Sequence, residues 1–375
     1  MAITRISNIA NTIPNQSIQN DKLSNIITFK NRIINGDMQI DQRNNGASYS
    51  AVNGTYSLDR WSLSSYTGGA TTGKFTVQQN AGSVTPPTGF IKYLGITSST
   101  TTSASATDIY NFVQIIEGNN TSDLAWGTAN AKTVTLSFWA RSSTTGTFGG
   151  NFRNQNGDRS YPFTYTISAA NTWEYKTIVV PGPTTGTWQT DNSQGIYIWF
   201  NIQVGSNFTL SATGSWQNSG AYGASGCVNL LTSSGATFYI TGVQLEVGTV
   251  SSDFEFLPID IDLLRCQRYY YLHSNRSGNF EPVSMGYYYN SNSLILMMDF
   301  PTTMRSDATL VSSSGTSYFR FDYNNSNNLF NNLTLSMANN TNALVYNNAT
   351  TGTGGMAGGC YLNSDSAYVA FESEL

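Results

Sequence analysis

The sequence predicts an all-β protein built from antiparallel strands, for three reasons. Apolar and polar residues alternate in many short runs, and this is the period of a half-buried strand. Asn-Gly dipeptides at 35–36, 45–46, 53–54 and 156–157 are typical of the tight turns of hairpins. Helical periodicity is missing between these runs, so a parallel α/β architecture has no support. We therefore expect an antiparallel β-sandwich or barrel.

Eight runs are the candidate strands of this β domain. They cover residues 74–78, 89–95, 109–116, 133–141, 163–167, 175–180, 195–204 and 236–247. Segments rich in Gly, Ser and Thr connect them, as in sandwiches and barrels made of many short strands.

In the last of these runs the apolar alternation changes phase at Gly242. Up to Ile240 the apolar residues fall on even-numbered positions, and from Val243 they fall on odd-numbered positions. Because side chains alternate with a period of two, this change would turn the later apolar residues to the wrong face unless the strand bulges. Glycine forms such a bulge with the least strain. We therefore predict a structural β-bulge at Gly242.

The chain is predicted to have four parts. These are an extended N-terminal segment (1–30), a first β domain (31–256), a short helical connector (257–268) and a second, smaller β domain (269–375). The N-terminal segment is polar with widely spaced isoleucines, so it should rest on another copy or on a larger assembly. The connector has Pro258 near its start, acids in its first turn and arginines in its last, as a helix dipole favours. All seven tryptophans lie between Trp61 and Trp216, which marks a change of composition before the second domain.

The composition is unusually poor in charge. Charged residues make up 11% of the chain, against about 25% in ordinary soluble proteins, and aromatic residues make up 13%. The net charge of −4 provides no basic field. We therefore expect no nucleic-acid partner. No stretch approaches the roughly 18 apolar residues of a membrane span, so we expect no membrane insertion.

Metal-binding and catalytic motifs are scarce in this sequence. Cys227, Cys266 and Cys360 lie far apart and His273 is the single histidine, so we expect three unpaired buried thiols and no zinc site. Glycosidic hydrolysis needs two carboxyl groups about 5–10 Å apart. Five acids are candidates only because acids are few: Glu117, Asp123, Asp158, Glu174 and Glu246. We predict that the protein is not an enzyme.

Two of the candidate strands suggest a glycan-binding face. The strands at 133–141 and 195–204 each have one apolar face and one face that mixes tryptophan with hydrogen-bonding groups. The residues on the mixed faces are Trp139, Arg141, Tyr197, Trp199, Asn201 and Gln203. A pyranose offers C–H groups to an aromatic ring and hydroxyls to amides and guanidinium, so we predict glycan binding here. The alternative is that a loop, the N-terminal segment or a neighbouring subunit covers these rings.

Several long motifs occur in an order that resembles a known family. They are NRIINGDMQIDQR, YSLDRW, VQIIEG, DLAWGTANAKTVTLSFWARSS, RSYPFTYTISAANTWEYKTIVVPG, ATFYITGVQLEVG and FEFLP…CQRYYY. Together they resemble, over about residues 31–270, the β-sandwich module of tail-fibre and other host-recognition proteins of tailed bacteriophages. This module is similar to jelly-roll carbohydrate-binding domains. The resemblance implies that the INGD strand pairs with the closing strand, which the bulge at Gly242 bends so that the sandwich closes.

The resemblance also raises the question of calcium, because related jelly rolls hold this ion with acids on the opening and closing strands. Asp37 is the one candidate ligand here. Thr241, Gly242 and Gln244 stand where the closing strand would need an acid. We therefore expect no cofactor, and the alternative is calcium bound at Asp37.

The C-terminal part, from MMDFPTTMRSDATLV to AYVAFESEL, resembles the distal β domain of phage fibres. The resemblance implies a virion structural protein, assembled in the host cytoplasm and carried on the tail or another external appendage. It implies a homotrimeric tail fibre, bound to other virion proteins through its N-terminal segment, that adheres to host surface polysaccharide without catalysis. The first alternative is a capsid decoration, head fibre or structural adaptor without sugar binding. A more distant alternative is a polysaccharide depolymerase.

Overall fold

The computed structural model describes residues 29–67, 73–275, 280–348 and 350–375. Nearly all of the predicted N-terminal segment, residues 1–30, lies outside the described residues. The described part contains 23 strands and one α-helix, so the all-β prediction is confirmed. No helix in this part is long and apolar enough to cross a membrane.

Thirteen strands belong to the first domain. They are β1 (Tyr49–Ser50), β2 (Trp61–Thr67), β3 (Phe75–Gln79), β4 (Leu94–Ser98), β5 (Asp108–Glu117), β6 (Val134–Ser142), β7 (Gly146–Asn154), β8 (Ser160–Ile167), β9 (Glu174–Val180), β10 (Gln194–Val204), β11 (Thr209–Leu210), β12 (Gly223–Ala224) and β13 (Thr237–Val247). Short 3₁₀ turns lie at Ala81–Ser83, Gly118–Asn120, Ser122–Leu124, Ser206–Phe208 and Leu230–Thr232.

Eleven of these strands form a jelly-roll β-sandwich, and β11 and β12 form a separate two-stranded parallel sheet. One sheet has the order β1-β3-β4-β13-β6-β9 and the other has the order β2-β5-β10-β7-β8, with antiparallel pairing throughout both. The chain crosses repeatedly between the sheets, so spatial neighbours such as β4 and β13 are far apart in sequence. The predicted fold class is therefore confirmed.

Apolar faces of the two sheets meet in one large core. Phe138 of β6 and Phe200 of β10 touch edge to face across it, with ring centroids 5.3 Å apart. Phe112 stacks on Phe200 at 4.9 Å, and Trp61 packs beside both. Burial of each such ring contributes about 1.5–3 kcal/mol to the stability of the fold, so the apolar faces of β6 and β10 stabilise the packing of the two sheets.

Two departures from the predicted strands have clear physical reasons. The run at 89–95 is mostly not a strand, because Gly89 has a φ of 91° and the strand begins only at Leu94. Strand β7 was missed, since its sequence GTFGGNFRN reads as a loop. A side chain at Gly150 would lie 2.1 Å from the carbonyl oxygen of Trp199, so close backbone packing requires glycine in this strand.

The closing strand β13 contains an irregularity at the predicted position. Its register against β6 shifts by one residue between Thr241 and Gln244, so that Gly242 and Val243 together oppose Phe138. Gly242 has a φ of 62°, a conformation that favours glycine. This geometry returns the later apolar residues of β13 to the core.

The opening segment lies beside the closing strand, as the family resemblance implied. The amide of Val243 donates to the carbonyl of Gly36 at 2.9 Å, and the amide of Arg32 donates to the carbonyl of Leu245 at 2.9 Å. These bonds join the two ends of the first domain through main-chain groups. The opening segment itself is an irregular stretch and not a strand.

The second domain follows helix α1 (Ile259–Gln267). Its strands are β14 (Tyr270–Asn275), β15 (Pro282–Asn290), β16 (Ser293–Asp299), β17 (Thr309–Ser312), β18 (Phe319–Tyr323), β19 (Ser326–Phe330), β20 (Thr334–Ala338), β21 (Asn342–Asn347), β22 (Ala357–Leu362) and β23 (Tyr368–Glu372). A three-stranded sheet, β14-β23-β17, packs on a seven-stranded sheet, β19-β18-β22-β15-β16-β21-β20. This domain has its own core, built around residues such as Phe319, Phe321 and Phe371.

Buried ionic contacts join the domains. Glu117 at the end of β5 accepts hydrogen bonds from Arg268 at 2.6 Å and from the hydroxyl of Tyr269 at 2.6 Å. Glu374, which follows the last strand, pairs with the buried guanidinium of Arg60. The cysteines are unpaired, with Cys266 and Cys360 buried and Cys227 half-buried.

Candidate functional site

The six predicted glycan-binding residues do not form one surface. Trp139 and Arg141 lie on β6 of the six-stranded sheet, and Tyr197, Trp199, Asn201 and Gln203 lie on β10 of the five-stranded sheet. Both strands turn their apolar faces to the shared core, so their mixed faces point away from each other. A single binding face is therefore corrected to two separate faces on opposite sides of the sandwich.

The outer face of the six-stranded sheet is covered at its centre, where Tyr239 and Thr241 are buried, and exposes side chains mainly along its edge strand β9. Trp139 packs against the exposed ring of Tyr175 on the neighbouring strand, with centroids 5.3 Å apart. The guanidinium of Arg141 lies 5.3 Å from the ring centroid of Tyr239, and its Nε donates to the carbonyl of Asn171. Among these rings only Tyr175 is exposed for stacking, and the Nε of Arg141 is already engaged in a hydrogen bond within the protein.

The outer face of the five-stranded sheet is covered by the chain itself. Residues 205–229, called the covering segment below, follow β10 and fold back over it. Tyr222 of this segment packs edge to face on Trp199 at 5.1 Å, and Tyr197 stacks on Trp199 at 5.8 Å. Trp199, Asn201 and Gln203 are therefore buried, whereas Tyr197 is half-buried.

Beneath the covering segment lies a group of polar side chains that we call the polar seam. Its members are Asn111 on β5, Asn151 on β7, and Trp199, Asn201 and Gln203 on β10. Asn201 faces Asn111 directly across the strands, and Trp199 faces Asn151. The sheet thus gathers these side chains from three adjacent strands.

The polar seam is rich in unsatisfied hydrogen-bonding groups. Among the described residues, both amide atoms of Asn111 and Asn201 find no hydrogen-bond partner, and the same holds for the indole N–H of Trp199. Asn151 donates to the carbonyl of Ala221 at 2.6 Å, but its Oδ1 is unpartnered. Each buried unsatisfied group costs about 1–3 kcal/mol, so such a concentration calls for a ligand or ordered water.

A cavity of about 340 Å³ opens beside Asn201, between the end of β10 and the covering segment. Asn201 lines this cavity but is only 3% exposed, because Gly223 of the covering segment packs directly against its amide. The other polar lining residues are Ser105, Ser206, Thr209, Ser225 and Asn229. Burial raises the pKa of the Cys227 thiol in the wall to about 11, and no lining residue carries a charge. The cavity is therefore suited to a neutral ligand that can both donate and accept hydrogen bonds.

Sequence reasoning missed Asn111, Asn151 and the covering segment. Asn111 shares its face of β5 with Val113 and Ile115, so the strand reads as apolar on both sides. Asn151 lies in the glycine-rich strand that reads as a loop. The signal that could have drawn attention to the site was the long connection between β10 and β13, since long loops are often functional.

The five candidate acids are each engaged by neighbours. Asp123 pairs with Arg32, Glu174 pairs with Lys176, Asp158 accepts from Asn154, and Glu246 accepts from Ser252. Burial raises the pKa of Glu117, but hydrogen bonds from Arg268 and Tyr269 outweigh this effect and leave the pKa below its usual value. These acids hold loops and domains together.

Asp37 lacks the surroundings of a calcium ligand. Gln39 donates to its carboxylate, and burial raises its pKa, which favours the neutral acid. On the closing strand, the Thr241 hydroxyl donates to the backbone carbonyls of Asp37 and Lys92. Within the described ranges, no group of three or more His, Cys, Asp or Glu residues is placed to hold a metal. These residues do not fit calcium.

Comparison with known proteins gives similarity of fold only. No protein-family model matches the chain, and no curated protein matches it. The solved structures similar to it include the enzymatically active domain of tailspike protein 4 of bacteriophage CBA120, at 16% identity and a TM-score of 0.31, over 58% of this chain and 22% of that chain. The family 11 carbohydrate-binding module of a Clostridium thermocellum cellulosomal cellulase is 16% identical with a TM-score of 0.25, over 55% of this chain and 98% of that chain. These similarities are too low to bear on function.

Proposed function

We propose that this protein is a non-catalytic glycan-binding protein of a bacteriophage virion, a homotrimeric tail fibre that adheres to host surface polysaccharide. The virion role is supported by the ordered sequence motifs between residues 31 and 270. The glycan-binding role is supported by the polar seam and the cavity beside it. The proposed ligand site is this cavity.

The observation that carries glycan binding is the amide of Asn201. Asn201 lines a cavity of about 340 Å³, its amide lies under Gly223 of the covering segment, and within the described structure neither polar atom of the amide has a partner. An amide in this position pairs with a group that both donates and accepts, as a sugar hydroxyl does. The cavity volume lies near the lower end of the range for small-molecule sites, so it suits one or two sugar rings.

The sugar is expected to be neutral. The cavity lining provides no cation to pair with a carboxylate or phosphate on the ligand. A charged sugar would therefore lose its hydration without gaining an ionic partner. We propose binding without catalysis because the candidate acids are held by their own structural partners.

Asn201→Ala is the decisive variant. Because the amide is unsatisfied in the free protein, its removal should leave the free energy of unfolding nearly unchanged. Loss of its hydrogen bonds should weaken sugar binding at least about ten-fold. Binding is measured on an array of neutral oligosaccharides and then by titration calorimetry with the sugar that binds best.

Two controls accompany this measurement. Asn130→Ala changes an exposed asparagine outside the cavity and should bind as the unaltered protein does. Trp139→Ala tests the opposite face of the sandwich and should also leave binding intact. If Trp139→Ala abolishes binding while Asn201→Ala does not, the sugar binds on the six-stranded sheet and the proposed site is wrong.

The alternatives give different results in the same assay. A capsid decoration, head fibre or structural adaptor without sugar binding predicts no signal on the array. A depolymerase predicts that reducing ends appear when the protein is incubated with host polysaccharide. Either result would remove the proposed function.

A further inference from the structure

The outer face of the seven-stranded sheet in the second domain is apolar and open. Its inner face packs on the three-stranded sheet, whereas no described segment covers the outer one. The apolar residues on this outer face are Met285 and Tyr287 on β15, Ile295 and Met297 on β16, Leu344 and Tyr346 on β21, and Met337 on β20. We call this set the Met/Tyr face.

These residues form continuous rows across the strands. Met337 lies opposite Leu344, which lies opposite Met297. In the next row, Tyr346 lies opposite Ile295, which lies opposite Tyr287. Met285 is 71% exposed, Met297 60% and Met337 66%, although methionine side chains are usually buried in folded proteins.

We propose that the Met/Tyr face is the surface through which copies of this chain associate. The inference stands apart from glycan binding, because the Asn201 cavity lies in the other domain. It names the surface that would hold the proposed oligomer together.

The chemistry of the face favours a protein over a sugar. Methionine, leucine and isoleucine offer no hydrogen bonds to hydroxyl groups, and only the two tyrosines of the face could do so. Methionine and tyrosine are enriched at protein interfaces, where they supply contact area. Flexible methionine side chains also fill irregular gaps between facing surfaces.

Charge favours another copy of this chain as that protein. The chain carries a net charge of −4, so a charged surface would repel its own copy. The seven strands contain three charged residues, Asp299, Arg320 and Asp322, and the last two form an ion pair with each other. The face is therefore nearly neutral, so the faces of several copies can gather about a common axis without repulsion.

The Met/Tyr face supplies a substantial part of the area that association needs. Its residues lie on four neighbouring strands about 4.8 Å apart, which together span roughly 20 Å, and strands of five to seven residues run about 20 Å, which gives a footprint of roughly 400 Å². A stable complex buries about 800 Å² per partner, so the Met/Tyr face supplies about half of that area.

The test is the mass of the full chain in solution. Light scattering coupled to size-exclusion chromatography should give a multiple of 40.8 kDa for the unaltered protein. The combined variant Met285→Glu, Met297→Glu and Met337→Glu should be monomeric, with association weakened at least about ten-fold. Its folding should be retained because all three side chains are solvent-exposed in the single chain.

The control makes the same type of substitution at two exposed apolar positions of the first domain, Ile91→Glu and Val250→Glu, and so adds two carboxylates where the test variant adds three. This control should keep the mass of the unaltered protein. A monomeric unaltered protein, or an assembly that survives the triple substitution, would overturn the proposal. The triple variant should still bind sugar, so a failure of association is distinguishable from a failure of glycan binding.

Methionine oxidation gives a second readout that needs no variant. In the assembled protein, Met285, Met297 and Met337 should resist hydrogen peroxide, and they should oxidise readily on dilution to monomer. Half-buried Met356, which is outside the face, should oxidise at the same rate in both states. Rapid oxidation of the three methionines in the assembled protein would show that another surface holds the copies together.

Discussion

At the scale of single residues, Arg60 shows how neighbouring groups stabilise a buried charge. The Arg60 guanidinium lies 3.6 Å from the ring centroid of Tyr269, donates to the carbonyl of Ile115 at 2.6 Å and pairs with Glu374. Burial lowers the pKa of Arg60, but the carboxylate of Glu374 and neighbouring groups raise it by a larger amount. The net effect is a raised pKa, so the charge is retained. Glu374 thereby ties the last residues of the chain to the first domain.

Glu374→Gln should therefore be strongly destabilising. The substitution leaves the guanidinium buried without its carboxylate, a change that typically costs about 3–5 kcal/mol. Glu372→Gln is the matched control, because Glu372 meets only Arg43, at 3.4 Å, and is more exposed. A surface pair of that kind is worth about 0–1 kcal/mol. Urea denaturation measures both, and equal losses would contradict this account of Arg60.

A second residue-scale effect is the pH dependence caused by Asp262 of helix α1. Burial raises the pKa of Asp262 to about 6, and the nearby carboxylate of Asp37 adds to the rise, although Arg265 opposes it. The folded chain therefore holds this proton more tightly than the unfolded chain does. The stability from this group is fully present below about pH 4 and is lost as the pH rises through 6.

Asp262→Asn should remove this loss. The variant should become more stable than the unaltered protein as the pH rises from 4 to 7, by on the order of 2 kcal/mol. Calorimetric melting temperatures between pH 4 and pH 8 measure the difference. Asp260→Asn, which changes an exposed acid on the same helix, should follow the unaltered protein throughout. A pH-independent difference for Asp262→Asn would rule out this proton as its cause.

At the scale of elements, the bulge in β13 depends on its glycine for two reasons. Gly242 has a φ of 62°, and a side chain there would come within 2.6 Å of the ring of Phe90. That ring is packed between Phe254 and Phe256, with centroids 5.2 and 5.1 Å away. Backbone strain and crowding therefore act at the same position.

Gly242→Ala should cost about 2–3 kcal/mol in the free energy of unfolding, since strain and crowding add together. Gly235→Ala is the control, because Gly235 has a φ of 79° but a side chain there would have nothing within 4 Å. It should cost about 1 kcal/mol from strain alone. Chemical denaturation of the two variants separates the contributions, and equal costs would show that Phe90 moves aside freely.

The covering segment is the other element that shapes the surface of the first domain. Its aromatic residues Phe208 and Tyr222 pack edge to face, and Tyr222 in turn covers Trp199. An isolated outer sheet face would have been an open platform. The segment covers this face and leaves beside it the cavity lined by Asn201, which is the ligand site proposed above.

At the scale of the whole molecule, the two domains carry separate proposed tasks. The first domain holds the cavity proposed to bind sugar, and the second presents the Met/Tyr face. The contacts of Glu117 with Arg268 and of Arg60 with Glu374 link them. Association through the second domain would repeat the sugar cavity in each copy, and repeated weak sites bind a polysaccharide far more tightly than one site does.

Much of this architecture could be predicted from the sequence. Period-two alternation placed β6, β10 and β13, and the change of phase located the irregularity at Gly242. The pattern failed where local composition disguised a strand, as in glycine-rich β7. It also could not show that Trp139 and Trp199 lie on opposite sides of the molecule. The alternation of side chains along one strand shows which residues share a face of that strand, but it does not show how the faces of two different strands are oriented.

The sequence by itself determined that the protein is an antiparallel β structure with a glycine bulge, since these features depend on side-chain period and local backbone freedom. Tertiary structure decided which strands share a sheet, and so divided the predicted binding residues between two faces. It also decided that residues 205–229 cover the polar seam and that the Met/Tyr face is open. Such pairings join residues far apart in the chain, so local sequence patterns cannot predict them.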